Sequence, residues 1–298
     1  MRTIMTLEQL RTFVGVAERE HMTAAARALN VTQSTASAAI SALEERHGIK
    51  LFHRVGRGIA LTDAGQIFLE EARNVLASAA SAQNTLDELS GLNRGSLRVV
   101  ASQTIAAYWL PPILVAFRTA FPNITVTLEI GNTTQAATHV REGQSDLGIV
   151  EGDVDDPSLA QWPLAEDRLQ LVQAEPFGTQ TVDAGWLQNA TWIMRERGSG
   201  TRSSLDASLR AVGVKPETLK EGLVLPSNES VRTAVEAGAG LAALSSLVVA
   251  PSLASGKLHA APFDLGPRTF FGLRHKERYR SKAADALLQI ISAQKNGT

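Results

Sequence analysis

Three short polar turns carry the residues best suited to hold a ligand. They are Ser102-Gln103-Thr104, Gly131-Asn132-Thr133-Thr134, and the run from Arg195 to Arg202. Each follows an apolar stretch of strand character and precedes a helical one. Such a turn presents free backbone N–H groups and the positive end of a helix dipole. Hydroxyls at Ser102, Thr104, Ser199 and Thr201 add donors without negative charge. Gly198 and Gly200 let the main chain come close to a ligand, and Arg202 supplies a countercharge. The candidate ligand residues are Ser102, Gln103, Thr104, Thr133, Glu196, Ser199, Gly200, Thr201 and Arg202. Together they suit a small anion. The competing reading is that each turn only caps its own helix.

Other chemistries find less support. Ser199 lacks the G-x-S-x-G elbow of a nucleophilic serine, and no His–Asp pair can be assigned to it. The six histidines show no metal-ligand spacing, and there is no cysteine. No catalytic residue, metal or cofactor is therefore expected. Gly238-Ala239-Gly240 lacks dinucleotide-loop spacing and reads as close helix packing.

An α/β body must position these turns. From Ser96 onward, strands near Leu97–Ala101, Ile124–Ile130 and Asp146–Val150 alternate with helices, one ending at Phe117 and one over Thr134–Glu142. A second α/β unit follows. Its strands lie near Leu169–Val172, Thr191–Met194 and Gly222–Leu225, and its helices over Arg202–Ala211, Ser230–Ala237 and Leu241–Val249. Asn228, Glu229 and Ser230 read as a helix cap at the edge of the cleft. A strand over Arg268–Leu273 and a helix over Ser281–Ile291 close the chain. This order argues a parallel sheet with ligand sites at the strand C-termini.

The N-terminal residues read differently. Met22 to Arg57 holds two short amphipathic segments joined at Asn30-Val31-Thr32, with Thr23 and Thr32 placed as N-caps. Ala25, Ala28 and Leu29 share one face, and Ala36, Ile40 and Leu43 another. A first helix over Leu7–Glu18 covers them. This is the pattern of a helix-turn-helix, whose second helix can enter a major groove. That helix exposes Gln33, Ser34, Thr35, Ser37, Ala38 and Ser41. His53 to Leu61 reads as a β-hairpin wing with Gly56 and Gly58 at its tip. Arg54 and Arg57 on the wing reach phosphate or the minor groove. The candidate DNA-contacting residues are Thr32, Gln33, Ser34, Thr35, Ser37, Ser41, Arg54 and Arg57.

Ala26, Leu29, Val31, Thr32, Gln33, Ser34, Ser37, Ile40, Ser41, Leu43, Glu44, Gly48, Leu51, Phe52 and Arg54, followed by Leu61-Thr62-Asp63-Ala64-Gly65, resemble the N-terminus of a LysR-type transcriptional regulator. The family often has Pro at the position of Ser34, and basic or amide residues where this chain has Ala38, Ala39 and Ala42. Fewer long donors then face the bases, so reading rests more on Gln33, Ser37 and DNA shape. The resemblance implies an α/β protein with an all-α winged helix-turn-helix head and a two-lobed effector domain similar to periplasmic binding proteins. It also implies that the polar turns line the effector cleft. The Arg195–Arg202 run resembles the branch controlling sulfur assimilation and CO₂ fixation, whose effectors are inorganic anions or phosphorylated metabolites. An aromatic or organic carboxylate is the alternative effector. A solute-binding protein or an enzyme is the rival class.

Phe68, Ala72, Val75, Ala79, Ala82, Leu86 and Leu89 step by 4 and 3 along a helix ending near Leu92. That stripe needs a partner, and the resemblance implies an antiparallel helix pair that dimerises the heads. Gly91 and Gly95 mark a hinge. The expected division is 1–62 for the head, 63–93 for the linker helix and 94–298 for the effector domain. Lobe I takes about 94–165 and 269–298, and lobe II about 166–268.

Bulk properties agree with this division. Residues 1–62 hold eight Lys or Arg against five acids, a net +3, leaving −4 for the rest of a chain whose total is −1. A length of 298 residues with 44% hydrophobic residues supports two packed domains. No run of 18 apolar residues exists, and the first ten residues lack a signal-peptide pattern. The expected setting is the cytoplasm. The expected partners are double-stranded DNA, further copies of the chain as a dimer or tetramer, and RNA polymerase, with no membrane.

Overall fold

The computed structural model describes residues 5–56, 58–89, 95–179 and 181–295. The chain divides into two compact units, one built mainly on residues up to Leu86 and one on most of the remainder. The head comprises α1 (Leu7–Arg19), α2 (Met22–Ala28), α3 (Gln33–His47), β1 (Phe52–Val55), β2 (Gly58–Leu61) and α4 (Asp63–Leu89). Thr6 and Gln9 cap α1 reciprocally. Thr32 caps α3, accepting the Thr35 N–H at 3.1 Å. Thr23 is not the cap of α2. His21 takes that place, its Nδ1 accepting the Ala24 N–H at 3.3 Å. Thr23 lies inside the helix and donates its hydroxyl to Gln33 Oε1 at 3.0 Å.

Leu10, Phe13, Ile40, Leu43, Leu51 and Ala72 form the head core. The rings of Phe52 and Phe68 lie 5.5 and 4.8 Å from that of Phe13. Buried Ala25, Ala26 and Ala36 let the helices cross closely. Gln33, Ser34, Thr35, Ser37 and Ala38 are exposed along α3, and Ser41 is half-buried. In the wing Val55 pairs with Gly58, so Gly58 belongs to the strand and not to the tip. Arg54 is exposed, while Arg57 lies outside the described residues.

The proposed stripe on α4 divides. Ala72 is only 1% exposed and Phe68 packs beside it, so these two serve the head's own core. Ala72 has no surface left for a seam, while Phe68 is half-buried. Within the stripe, Val75 is 43% exposed and Leu86 64% exposed. Ala79 is half-buried, Ala82 is exposed, and the side chain of Leu89 lies outside the described residues.

The body opens with three parallel strands in the order β5 (Leu147–Glu151), β3 (Gly95–Ser102), β4 (Ile124–Gly131). A π-helical turn at Ile105–Trp109 leads into α5 (Leu110–Ala120), and α6 (Thr133–Arg141) follows β4. The next strand, β6 (Leu159–Gln173), is far longer than the sequence suggested. It pairs antiparallel with β11 (Pro267–His275), and β6 itself runs through two cores. Leu164 and Phe270 pack in the first lobe, Leu169 and Leu171 in the second.

The second lobe adds α7 (Ala184–Asn189), β7 (Thr191–Arg195), α8 (Gly200–Ala211), β8 (Lys220–Leu225), α9 (Asn228–Glu236), β9 (Ala242–Ser245), α10 (Ser246–Ala254) and β10 (His259–Ala260). The closing helix α11 (Lys282–Lys295) packs in the first core. The helix expected over Leu241–Val249 is half strand, because β9 pairs antiparallel with β6. Gly240 sets this up. At φ +148 it lies against β7, where a Cβ would meet the Thr191 carbonyl oxygen at 2.4 Å. The Gly238–Gly240 segment thus serves close packing on a strand, not on a helix.

Glu44 ties the wing to α3. Its carboxylate accepts from Leu51 and Phe52 N–H at 2.9 and 3.3 Å and from Lys50 Nζ at 2.5 Å. Burial alone would raise this carboxyl, but those bonds outweigh it and hold it below its ordinary value. A depressed carboxyl contributes stability above its unfolded-state value and loses it as pH falls through the folded value. Glu44→Ala should cost about 1–3 kcal/mol of local stability. A lower amide protection factor at Leu51 and Phe52 is the readout, and acidification of the wild type should lower it likewise. Unchanged exchange would show that Glu44 does not hold the wing.

Candidate functional site

The cleft is built where β3, β4 and β5 end in Ser102, Gly131 and Glu151. The second lobe faces them with Arg195 at the end of β7 and with the starts of α8 and α9. The crossing strands add one ion pair, Arg268 directly opposite Asp167 in register. Strand alternation puts Arg268 on the same face as Phe270, inside the first core. It is 6% exposed.

A buried guanidinium needs partners on every side. Arg268 Nε and Nη2 lie 2.8 and 2.7 Å from Asp167 Oδ2. Nη1 donates to Thr201 Oγ1 at 3.1 Å and Nη2 to Thr104 Oγ1 at 3.4 Å. One side chain thereby brings together two candidate residues from opposite lobes. Thr104 Oγ1 also accepts from Asn228 Nδ2 at 2.9 Å. Asn228, wholly buried, receives Arg195 Nη1 at 2.6 Å on Oδ1 and donates its N–H to Gln103 Oε1 at 2.7 Å.

Further bonds join the two sides. Asn132 Nδ2 donates to Glu196 Oε1 at 3.3 Å, and Thr134 N–H to the Gly198 carbonyl at 3.3 Å. Tyr108 donates to Glu229 at 3.1 Å; burial, and then the Glu229 carboxylate, push its phenol above the ordinary value. Gly200 permits the closest approach. A Cβ there would lie 2.3 Å from the Glu151 carbonyl oxygen and 2.6 Å from Thr133 Oγ1.

Capping separates the turns. Asn132 Oδ1 accepts the Gln135 N–H at 2.9 Å, so this turn caps α6. Thr104 and Ser199 make no side-chain cap bond to the helices they precede. The cap of α9 is Ser227, not Asn228. The Ser102 hydroxyl is buried with no hydrogen-bond partner. Thr133 donates to the Glu151 carbonyl at 2.9 Å, and Glu196 is held by Arg195.

Arg202 does not supply the cleft's countercharge. Its guanidinium is held by Asp206 at 3.0 Å, Glu221 at 2.7 Å and the Arg195 carbonyl at 3.4 Å. Sequence reasoning missed Arg268, Asp167, Glu151 and the role of Arg195. The available signal was phase: an arginine two residues from Phe270 in an apolar strand shares its inward face and demands a buried acid. No group of His, Cys, Asp or Glu among the described residues is arranged to hold a metal.

A winged helix-turn-helix head with a two-lobed α/β body, whose polar cleft lies between the lobes, defines a ligand-responsive DNA-binding regulator. Residues 7–66 match the bacterial regulatory helix-turn-helix proteins of the lysR family, and residues 90–295 match the LysR substrate binding domain. The chain belongs to the LysR family of transcriptional regulators. A probable RuBisCO transcriptional regulator of Trichormus variabilis is 33% identical over 297 residues, covering 97% of this chain and 88% of the relative. Full-length CbnR complexed with target DNA shares the fold at TM-score 0.69 and 22% identity, covering 97% of this chain and 99% of its own. The regulatory domain of Synechocystis CcmR, in complex with 2-PG, shares it at TM-score 0.60 and 24% identity. That match covers 68% of this chain and 99% of the other.

The Asn228 side chain bonds Thr104 and Arg195, so Asn228→Ala should take one of its two donors from Thr104 and leave Arg195 Nη1 without its acceptor, while the main-chain bond to Gln103 persists. The expected cost is about 1–3 kcal/mol of unfolding free energy. It should be visible as a lower urea midpoint by tryptophan fluorescence, and an unchanged midpoint would refute it.

Proposed function

We propose that this regulator reads double-stranded DNA as a dimer and is switched by a small anion bound between the lobes. One observation carries the anion reading. Thr104 and Thr201 accept N–H bonds from Arg268 and Asn228 on their hydroxyl oxygens. Their protons are therefore left to donate to an outside acceptor. The buried Ser102 hydroxyl and the uncapped start of α8 add further donors. Arg268, Arg195 and Arg202 are each held by acids, so recognition rests on hydroxyl and backbone dipoles. The 2-PG carried by the CcmR domain is of the same chemical class.

An anion touching both lobes favours their closure only by its differential affinity for the closed state. The relative named a probable RuBisCO transcriptional regulator supports a role in control of CO₂ fixation. We assign no catalysis to the cleft, because its polar groups form no nucleophile–base pair. No helix among the described residues is long and apolar enough to cross a membrane, in keeping with a cytoplasmic setting. The exposed Val75 and Leu86 side of α4 is the surface for self-association. Tetramer assembly and contact with RNA polymerase complete the proposal.

Two experiments test it. In titration calorimetry with inorganic phosphate, Thr104→Val and Thr201→Val should each weaken binding by about 1–3 kcal/mol, whereas Arg202→Met should lower stability and leave affinity nearly unchanged. Equal affinity in all three would remove the site. In DNA binding, Gln33→Ala should cost about 1–3 kcal/mol on the operator and little on random DNA. Equal loss on both would end its base-reading role.

A further inference from the structure

Resting on that anion reading, the cleft holds one group that anion binding alone does not explain. Glu151 ends β5 at 2% exposure. Its Oε1 is buried with no hydrogen-bond partner. The nearest cation, Arg268 Nη2, stands 3.6 Å away, beyond hydrogen-bond length. That nitrogen is already engaged by Asp167 Oδ2 at 2.7 Å and Thr104 Oγ1 at 3.4 Å. A buried carboxylate oxygen without a donor is costly. The same guanidinium holds the hydroxyls of Thr104 and Thr201, so this acceptor sits within the cluster of anion donors.

We propose that Glu151 makes the cleft select oxyanions that still carry a proton, such as hydrogenphosphate or a singly ionised phosphate monoester, over oxyanions that carry none, such as sulfate. An ionised carboxylate offers only acceptor atoms. Beside it a bare oxyanion brings lone pair against lone pair and charge against charge, with no solvent to screen them. An oxyanion bearing a proton turns that O–H onto Oε1 and forms a short charge-assisted bond. The proton stays with the ligand, and no bond is made or broken. The other carboxylates there are engaged by donors of the protein, and the hydroxyl and main-chain donors favour any oxyanion alike, so neither makes this distinction. Phosphate keeps at least one proton near neutral pH. Sulfate has none, and monofluorophosphate matches phosphate in shape and charge while lacking the proton.

The test is titration calorimetry of the full chain with inorganic phosphate, sulfate and monofluorophosphate at equal ionic strength and neutral pH. The wild type should bind phosphate at least about tenfold more tightly than either of the others, the scale of one charge-assisted hydrogen bond. Glu151→Gln replaces a carboxylate oxygen by an N–H donor. It should lower phosphate affinity, raise sulfate affinity and bring their ratio to about one or below. If this variant fails to fold, the phosphate-to-monofluorophosphate ratio on the wild type still decides. Equal binding of all three ions by the wild type, with each weakened by Thr104→Val, would keep the anion site and overturn the selection by Glu151. Binding of none would remove the anion reading, and this inference with it.

Discussion

The ion pair between Arg268 and Asp167 sets the geometry of the body. It lies where β6, which runs through both cores, pairs with β11. Two buried leucines would pack there without the desolvation that a guanidinium and a carboxylate suffer. The ion pair accomplishes what leucines cannot. It points N–H donors at one threonine from each lobe, and so fixes which way two hydroxyl protons face. The cleft's polarity is thus decided by a residue that need not touch the ligand.

From that constraint follows an economy of charge. Each buried arginine near the cleft is matched by an acid: Arg268 by Asp167, Arg195 by Glu196, Arg202 by Asp206 and Glu221. A free arginine would attract every anion, the body's own carboxylates included. A compensated one leaves discrimination to hydroxyl direction, helix starts and shape. Such dipoles are short-ranged, and their strength depends on geometry far more than a net charge does. A site built from them changes affinity sharply when the lobes shift, which is the property a two-state switch needs.

Much of this was legible in the sequence because it depends on local pattern. The cap at Thr32, the alanine crossing of α2 and α3, and the β-α-β order after Ser96 all follow from spacing over a few residues. The turns at Ser102–Thr104 and Ser199–Thr201 were visible for the same reason. What failed was long-range or degenerate. Arg202 has the type and place of a countercharge, but Glu221 lies nineteen residues further on and no local pattern announces it. Leu241–Val249 is a short apolar run that satisfies both helical and strand burial. The open edge of β6 and the backbone at Gly240 decide it. Arg268 could be suspected from its phase, but its partner Asp167 is set by a pairing of strands a hundred residues apart.

The α4 stripe shows how one periodic pattern can serve two ends. An unbroken heptad reads as a single seam, yet Phe68 and Ala72 complete the head core against Phe13 and Leu43. They also fix α4 to the helices that position α3. The remaining apolar positions, Val75 and Leu86, project from a helix that is thereby rigid with respect to the recognition helix and, through Glu44, to the wing. If those positions associate as proposed, the separation of two recognition helices is set by the geometry of one pair of α4 helices. Any force that shifts that pair moves both DNA-reading surfaces as rigid bodies. Leu69 and Leu76 of α4 pack on the same core and Arg73 pairs with Glu18 of α1, so the attachment does not rest on the heptad positions alone and rotation of α4 carries the head with it.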